Sequence, residues 1–196
     1  MSVILASSSP FRKALLKKLG IDFETVSPNI NEEREKYESP FELVKRLAEQ
    51  KAIEVSKFHS GLVIGSDQVA TLGSGRNIDD KIFTKPGSHD NAVFQLKNCS
   101  GKTVTFLTGL TLLNTKTKKI QVHVEKYKVT FKKLTESEIL NYLKKEDALN
   151  CAGSFKSEGL GIALFKNMEG NDPNSLIGLP VIELIKMLAK ENVHIL

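Results

Sequence analysis

The chain has 196 residues, 40% hydrophobic and 26% charged, the balance of a soluble globular protein rather than a disordered or membrane-spanning one. Its apolar runs fall far short of the roughly 18 residues of a bilayer crossing, its start (MSVILASSSP) lacks the pattern of a signal peptide, and its two cysteines, Cys99 and Cys151, suggest neither a disulfide framework nor a zinc site. The excess of 28 Lys and Arg over 23 Asp and Glu gives +5, which suits phosphate-bearing ligands but is too small to indicate a nucleic-acid binder without an accompanying motif; a cytoplasmic protein with neither membrane nor nucleic-acid partners is expected.

Val3–Ala6 reads as a buried strand and 7–10 as a turn feeding a helix over 11–19, closed by Gly20. A short strand over 23–26 follows. Pro40 opens a strong helix to about Lys57, with Leu43, Val44, Leu47, Ala48, Ala52 and Val55 on one face. The run 62–65 predicts a short apolar strand that stops at Ser66-Asp67-Gln68, and the polar stretch 73–80 a loop. Ser88 is placed to cap a helix over 89–98. Two strands, 104–113 and Ile120–Phe131, flank a polar turn at 114–119, and the second changes alternation phase near Glu125–Lys126, which suggests a bulge. Thr135 and Glu138 form a capping-box pattern for a helix to about Lys145. A strand near 163–166 and a terminal helix over 180–190 complete an α/β or mixed-sheet chain with no internal repeat.

Three polar segments interrupt this pattern. Ser7-Ser8-Ser9-Pro10-Phe11-Arg12-Lys13 offers hydroxyls and helix-start N–H groups to an anion, with two cations poorly placed against the helix dipole unless phosphate joins them; plain serine capping is the competing reading. Asp67, beyond an apolar strand, suits Mg²⁺ binding or activation of a water, or else a turn cap. Thr84-Lys85-Pro86 sets a lysine before a stiff turn, where it would meet a phosphate or simply solvent. The third segment, 151–161, carries three glycines and two serines in neither of the familiar phosphate-loop patterns. No Cys–His or Ser–His arrangement is evident, and the four histidines lack metal-ligand spacing.

Taken in order, Ile4-Leu5-Ala6-Ser7-Ser8-Ser9-Pro10, Ile64-Gly65-Ser66-Asp67-Gln68, Thr84-Lys85-Pro86, Ser100-Gly101, Thr108-Gly109 and Gly178-Leu179-Pro180 resemble the Maf family of nucleotide pyrophosphatases across nearly the whole chain. Ser66-Asp67-Gln68-Val69, the 151–161 segment and Asp172-Pro173-Asn174 resemble its 7-methyl-GTP subgroup. The resemblance implies one domain over 1–196 with an inosine-triphosphatase-like fold, two lobes around a deep cleft, and usually a homodimer. It implies hydrolysis between the α- and β-phosphates of a nucleotide with a divalent cation, Mg²⁺ or Mn²⁺. Asp67 matches the general base. Ser7, Ser9, Arg12, Lys51 and Lys85 match phosphate-binding positions, and Glu32, with Asp67, a metal-site position. Phe11, Gln68 and Glu158 match positions that separate substrate subgroups. Asn31 stands where the family has an aspartate, and 73–83 is longer than the family's turn.

Three readings follow: a 7-methyl-GTP pyrophosphatase, the same chemistry on dTTP, UTP or other modified nucleotides, and a non-catalytic nucleotide-binding regulator. An intact Asp67 with basic partners argues against the last. Direct attack by water needs no protein nucleophile, in keeping with the lack of a Ser–His or Cys–His pair.

Overall fold

The computed structural model describes all 196 residues, Met1–Leu196. In chain order the elements are β1 (Val3–Ala6), α1 (Pro10–Lys17), β2 (Glu24–Val26), α2 (Pro40–Ser56), β3 (Leu62–Thr71), β4 (Ile82–Phe83), α3 (His89–Cys99), β5 (Thr103–Asn114), β6 (Ile120–Phe131), α4 (Glu136–Lys145), β7 (Phe165–Gly170), α5 (Pro173–Ile177) and α6 (Val181–Ala189). Two 3-10 turns, Ala152–Ser154 and Leu160–Leu164, lie between α4 and β7. The helix starts follow local chemistry. Ser9 and Ser39 cap helices that begin on proline, and Ser39 with Glu42 and Thr135 with Glu138 form reciprocal capping boxes.

The strands form one mixed sheet in the order β2-β1-β3-β5-β6-β7, with β4 beside β3. β1 pairs parallel with β2 and β3, and the remaining pairs are antiparallel. Period-two alternation splits β3 between two layers. Leu62 and Ile64 join Leu15, Leu16, Leu184 and Leu188 under α1 and α6, whereas Val63 and Val69 face α2. A separate core lies beyond, under α3 and α4, where Phe106, Phe131, Phe155 and Phe165 meet edge to face.

Glycines set how closely α2 approaches the sheet. A Cβ at Gly65 would sit 2.1 Å from the Ala48 carbonyl oxygen, and one at Gly109 would sit 2.1 Å from that of Val44. Only bare backbone on β3 and β5 allows the helix this contact.

Three expectations need correction. The strand at 62–65 does not stop at Ser66: β3 runs to Thr71, because Ser66, Asp67 and Gln68 continue to pair with Leu110, Gly109 and Thr108 of β5. No bulge interrupts β6 at Glu125–Lys126, where its register with β5 is continuous; the irregularity lies at Thr130/Phe131, against β7. The phase change reflects a change of cover. Val124 packs on the α2 side, while Tyr127, Val129 and Phe131 enter the other core. The strand expected near 163–166 is shifted too, to Phe165–Gly170, after a 3-10 turn.

Candidate active site

The site begins as a gap in hydrogen bonding. On one edge of β3, β1 pairs with 62–65 and β4 with 70–71, so residues 66–69 meet no strand there. β1 ends at Ala6 and its chain turns away through three serines, leaving a cleft of ≈ 1090 Å³ beside the exposed edge. Asp67 stands in the middle of the gap.

All ten residues singled out in the sequence line this cleft: Ser7, Ser9, Phe11, Arg12, Glu32, Lys51, Asp67, Gln68, Lys85 and Glu158. The structure brings them within one cavity but does not join them equally. Because odd-numbered side chains of β3 face α2, Asp67 meets Lys51, a lysine inside the apolar stripe of that helix. Lys51 Nζ donates to Asp67 Oδ1 at 2.6 Å and lies 2.8 Å from Glu32 Oε1. Lys51 is only 4% exposed, so its charge is directed onto the two carboxylates. Asp67 Oδ2 makes no hydrogen bond within the chain.

Even-numbered neighbours face the other way. Ser66 Oγ donates to the Gly178 carbonyl at 3.0 Å, and Arg12 Nε donates to the same oxygen at 2.8 Å. Gly178, at φ 122, holds a conformation that favours glycine where the chain leaves α5. Arg12 Nη1 also approaches Ser7 Oγ at 3.4 Å, while Ser9 Oγ caps α1 through the Arg12 N–H. Ser9 is thus a cap, as the capping reading of the serine loop expects, and the loop also lines the cleft. Burial lowers the Arg12 pKa from its ordinary value, against the raising effect of Asp67 and then Glu32. A guanidinium keeps its charge under such a shift.

Gln68 Nε2 lies 2.6 Å from the Ser175 carbonyl oxygen, 3.2 Å from that of Leu176 and 3.0 Å from Thr108 Oγ1. Two carbonyls demand the amide's hydrogens, so its oxygen is left for the cleft. Phe11 is half-buried beside the serine loop, and Lys85 and Glu158 are exposed on the rim.

For a cation, Glu32 and Asp67 are the cleft carboxylates that meet, at Lys51; no group of three or more His, Cys, Asp or Glu suited to a metal occurs. Two carboxylates fit Mg²⁺ that arrives with phosphates, since that ion takes one or two protein carboxylates alongside substrate oxygens rather than an all-protein cage. Cys151 also lines the cleft, but burial and then Glu158 push its thiol up to about 11, far from the range of a nucleophile at neutral pH.

Sequence reasoning marked Ser66, Gly178, Gly65 and Gly109 only as motif residues and gave them no part in the site. Their signals are present but silent in a single chain: the two glycines lie on apolar strands, and Gly178 follows a five-residue helix.

A family model described as Maf-like protein matches residues 2–191. The chain is 51% identical over 195 residues to the 7-methyl-GTP pyrophosphatase of Alcanivorax borkumensis, the match covering 99% of this chain and 96% of that protein. It is 50% identical to the protein of the same name from Pseudoalteromonas atlantica, over 100% of this chain and 97% of that one. Among solved structures, the Staphylococcus aureus Ham1 protein aligns over 98% of this chain and 100% of its own with a TM-score of 0.51 and 12% identity, a likeness of fold alone. No helix is long and apolar enough to cross a membrane.

Proposed function

The chain belongs to the Maf-like protein family, and we propose that it is a nucleotide pyrophosphatase that converts 7-methyl-GTP and water to 7-methyl-GMP and pyrophosphate. The observation that carries this reading is the break in the β3 edge, which opens a nucleotide-sized cleft around the Asp67 carboxylate, with Arg12, Lys51 and Lys85 among the cations that line it.

Asp67 acts as general base through Oδ2, the oxygen free of Lys51. It takes a proton from water as the water oxygen bonds to the α-phosphorus. The bond from that phosphorus to the bridging oxygen breaks, and the electron pair leaves with pyrophosphate. Lys51 fixes the orientation of the Asp67 carboxylate through its 2.6 Å bond and, with Arg12 and Lys85, faces the phosphates. Ser7 and Ser9 add hydroxyl contacts. Mg²⁺ or Mn²⁺, held by Glu32 and Asp67 with the phosphates, would supply further charge neutralisation when bound.

Specificity rests on the base. Methylation at N7 makes guanine cationic, and an aromatic face such as Phe11 attracts a cation by about 0.5–2 kcal/mol. Glu158 accepts from the N1–H and amine of guanine. Gln68, whose hydrogens are spent on Ser175 and Leu176, serves as an acceptor rather than a reader of O6. The reading takes 1–196 as one catalytic domain, in keeping with matches along nearly the whole of both relatives, and expects lobes on either side of the cleft. A cytoplasmic homodimer is its expected working form, which sedimentation of the purified protein would check.

The test is pyrophosphate release from 7-methyl-GTP, GTP, dTTP and UTP, with and without Mg²⁺ or Mn²⁺. The reading expects 7-methyl-GTP to lead. Preference for dTTP or UTP would favour the other substrate reading, and no release from any nucleotide would favour the non-catalytic one.

A further inference from the structure

Glu32 lies on a segment without helix or strand, between β2 and α2, and is itself exposed, yet its carboxylate reaches a buried lysine. Arg46, one side chain of α2, binds the segment beside Glu32 at several points. Its Nε donates to Glu38 Oε1 at 2.6 Å and its Nη2 to Glu38 Oε2 at 2.8 Å, a two-pronged ion pair on a buried carboxylate. The same Nη2 donates to the carbonyl of Glu33 at 2.9 Å, one residue from Glu32, and Nη1 donates to Gln50 Oε1 at 3.0 Å. Glu38 Oε2 also accepts from the Glu35 N–H at 3.0 Å. The guanidinium therefore ties both ends of the 33–38 turn to the helix that carries Lys51.

From this geometry we infer that Arg46, braced by Glu38, is a positioning residue that holds Glu32 against Lys51 and so completes the Glu32–Lys51–Asp67 group. The inference rests on the reading of Glu32 as part of the catalytic cleft. Burial raises the Glu38 pKa, but the Arg46 bond, the Glu35 N–H and the Arg46 charge together leave it below the ordinary value, so the fork is charged at neutral pH. A second arm holds the turn from outside. Arg34 Nε donates to the Glu38 carbonyl at 2.7 Å and Arg34 Nη2 to the Ile78 carbonyl at 2.8 Å. Ile78 lies in the long 73–83 stretch, which thus serves as a buttress for the acidic segment.

The experiment is a double-mutant cycle in steady-state kinetics on 7-methyl-GTP, with thermal midpoints recorded for every variant. Glu32→Gln is expected to lower kcat. Arg46→Gln alone should lower kcat by about 10–100-fold, the cost of sub-ångström to ångström misplacement of a working group, and should change KM less. In the Glu32→Gln background it should lower kcat no further, because a residue acting through Glu32 has nothing left to position. Arg46→Lys, lacking the planar fork, should fail to rescue. Should Arg46→Gln not fold, Glu38→Gln tests the same fork. Equal losses from Arg46→Gln with and without Glu32, or wild-type kcat in Arg46→Gln while Glu32→Gln is impaired, would overturn the inference alone. An inert Glu32→Gln would remove Glu32 from the site and the inference with it.

Discussion

Glu158 and Cys151 share a wall of the cleft and differ in what their surroundings permit. The thiol is held protonated by burial, while the exposed carboxylate is free to accept from a base edge. Hydrogen bonds to a charged group contribute about 1.5–3 kcal/mol, so Glu158→Gln should cut the preference for 7-methyl-GTP over dTTP by about ten-fold or more, with a smaller loss in the turnover of dTTP. The ratio of the two kcat/KM values checks this, and an unchanged ratio would take Glu158 out of base recognition. At this scale much was legible in the sequence. Asp67 stands out as a charged residue beyond an apolar run, Lys85 as a lysine before a stiff turn, and Arg12 as a cation at the wrong end of a helix. The partner of Asp67 was not legible from spacing, since the 16 residues from Lys51 run from the end of α2 through a turn into β3. Nor was the loss of the Gln68 hydrogens to carbonyls over 100 residues away.

Among the elements, α2 and β3 decide whether the site exists. The helix brings Lys51 to Asp67 because Gly65 and Gly109 let its backbone rest on the sheet. Gly109→Ala would drive a methyl into the Val44 carbonyl, and overpacking of this kind costs about 1–3 kcal/mol. The variant is expected to melt earlier and to lose kcat as Lys51 is lifted from Asp67; wild-type kcat with a lowered melting point would show that the seating matters for stability only. Element type and order read well from periodicity and capping, as α2 and α4 with their capping boxes illustrate. The end of β3 did not. Ser66, Asp67 and Gln68 have the composition of a turn, and pairing with β5 overrides it. The apparent bulge in β6 had a similar origin, because alternation records which face is covered, and the cover changes along one regular strand.

For the molecule as a whole, the cleft lies where the core under α1 and α6 gives way to the core under α3 and α4, and its depth comes from one strand whose edge partners do not meet. That gap depends on which strands pair with which residues, information that no local pattern contains. The same frame predicts an acid limit. Burial works to raise the Glu38 carboxyl, yet Arg46 leaves it below the ordinary 4.5; the Lys119 and Asn114 side of Glu191 does likewise, with Asn114 the largest influence. Carboxyls depressed in the folded state stabilise it fully above about pH 4.5 and progressively less as pH falls through their folded values. Urea midpoints should therefore drop below pH 4.5, and constant midpoints down to pH 3 would deny these pairs a part in stability. The central claim is that Asp67 activates the attacking water, and turnover of 7-methyl-GTP by Asp67→Asn, with nucleotide binding measured in parallel, tests it most directly. Loss of a general base costs about 10²–10⁴-fold, so kcat should fall by that factor while binding persists; near-normal kcat in Asp67→Asn would contradict it.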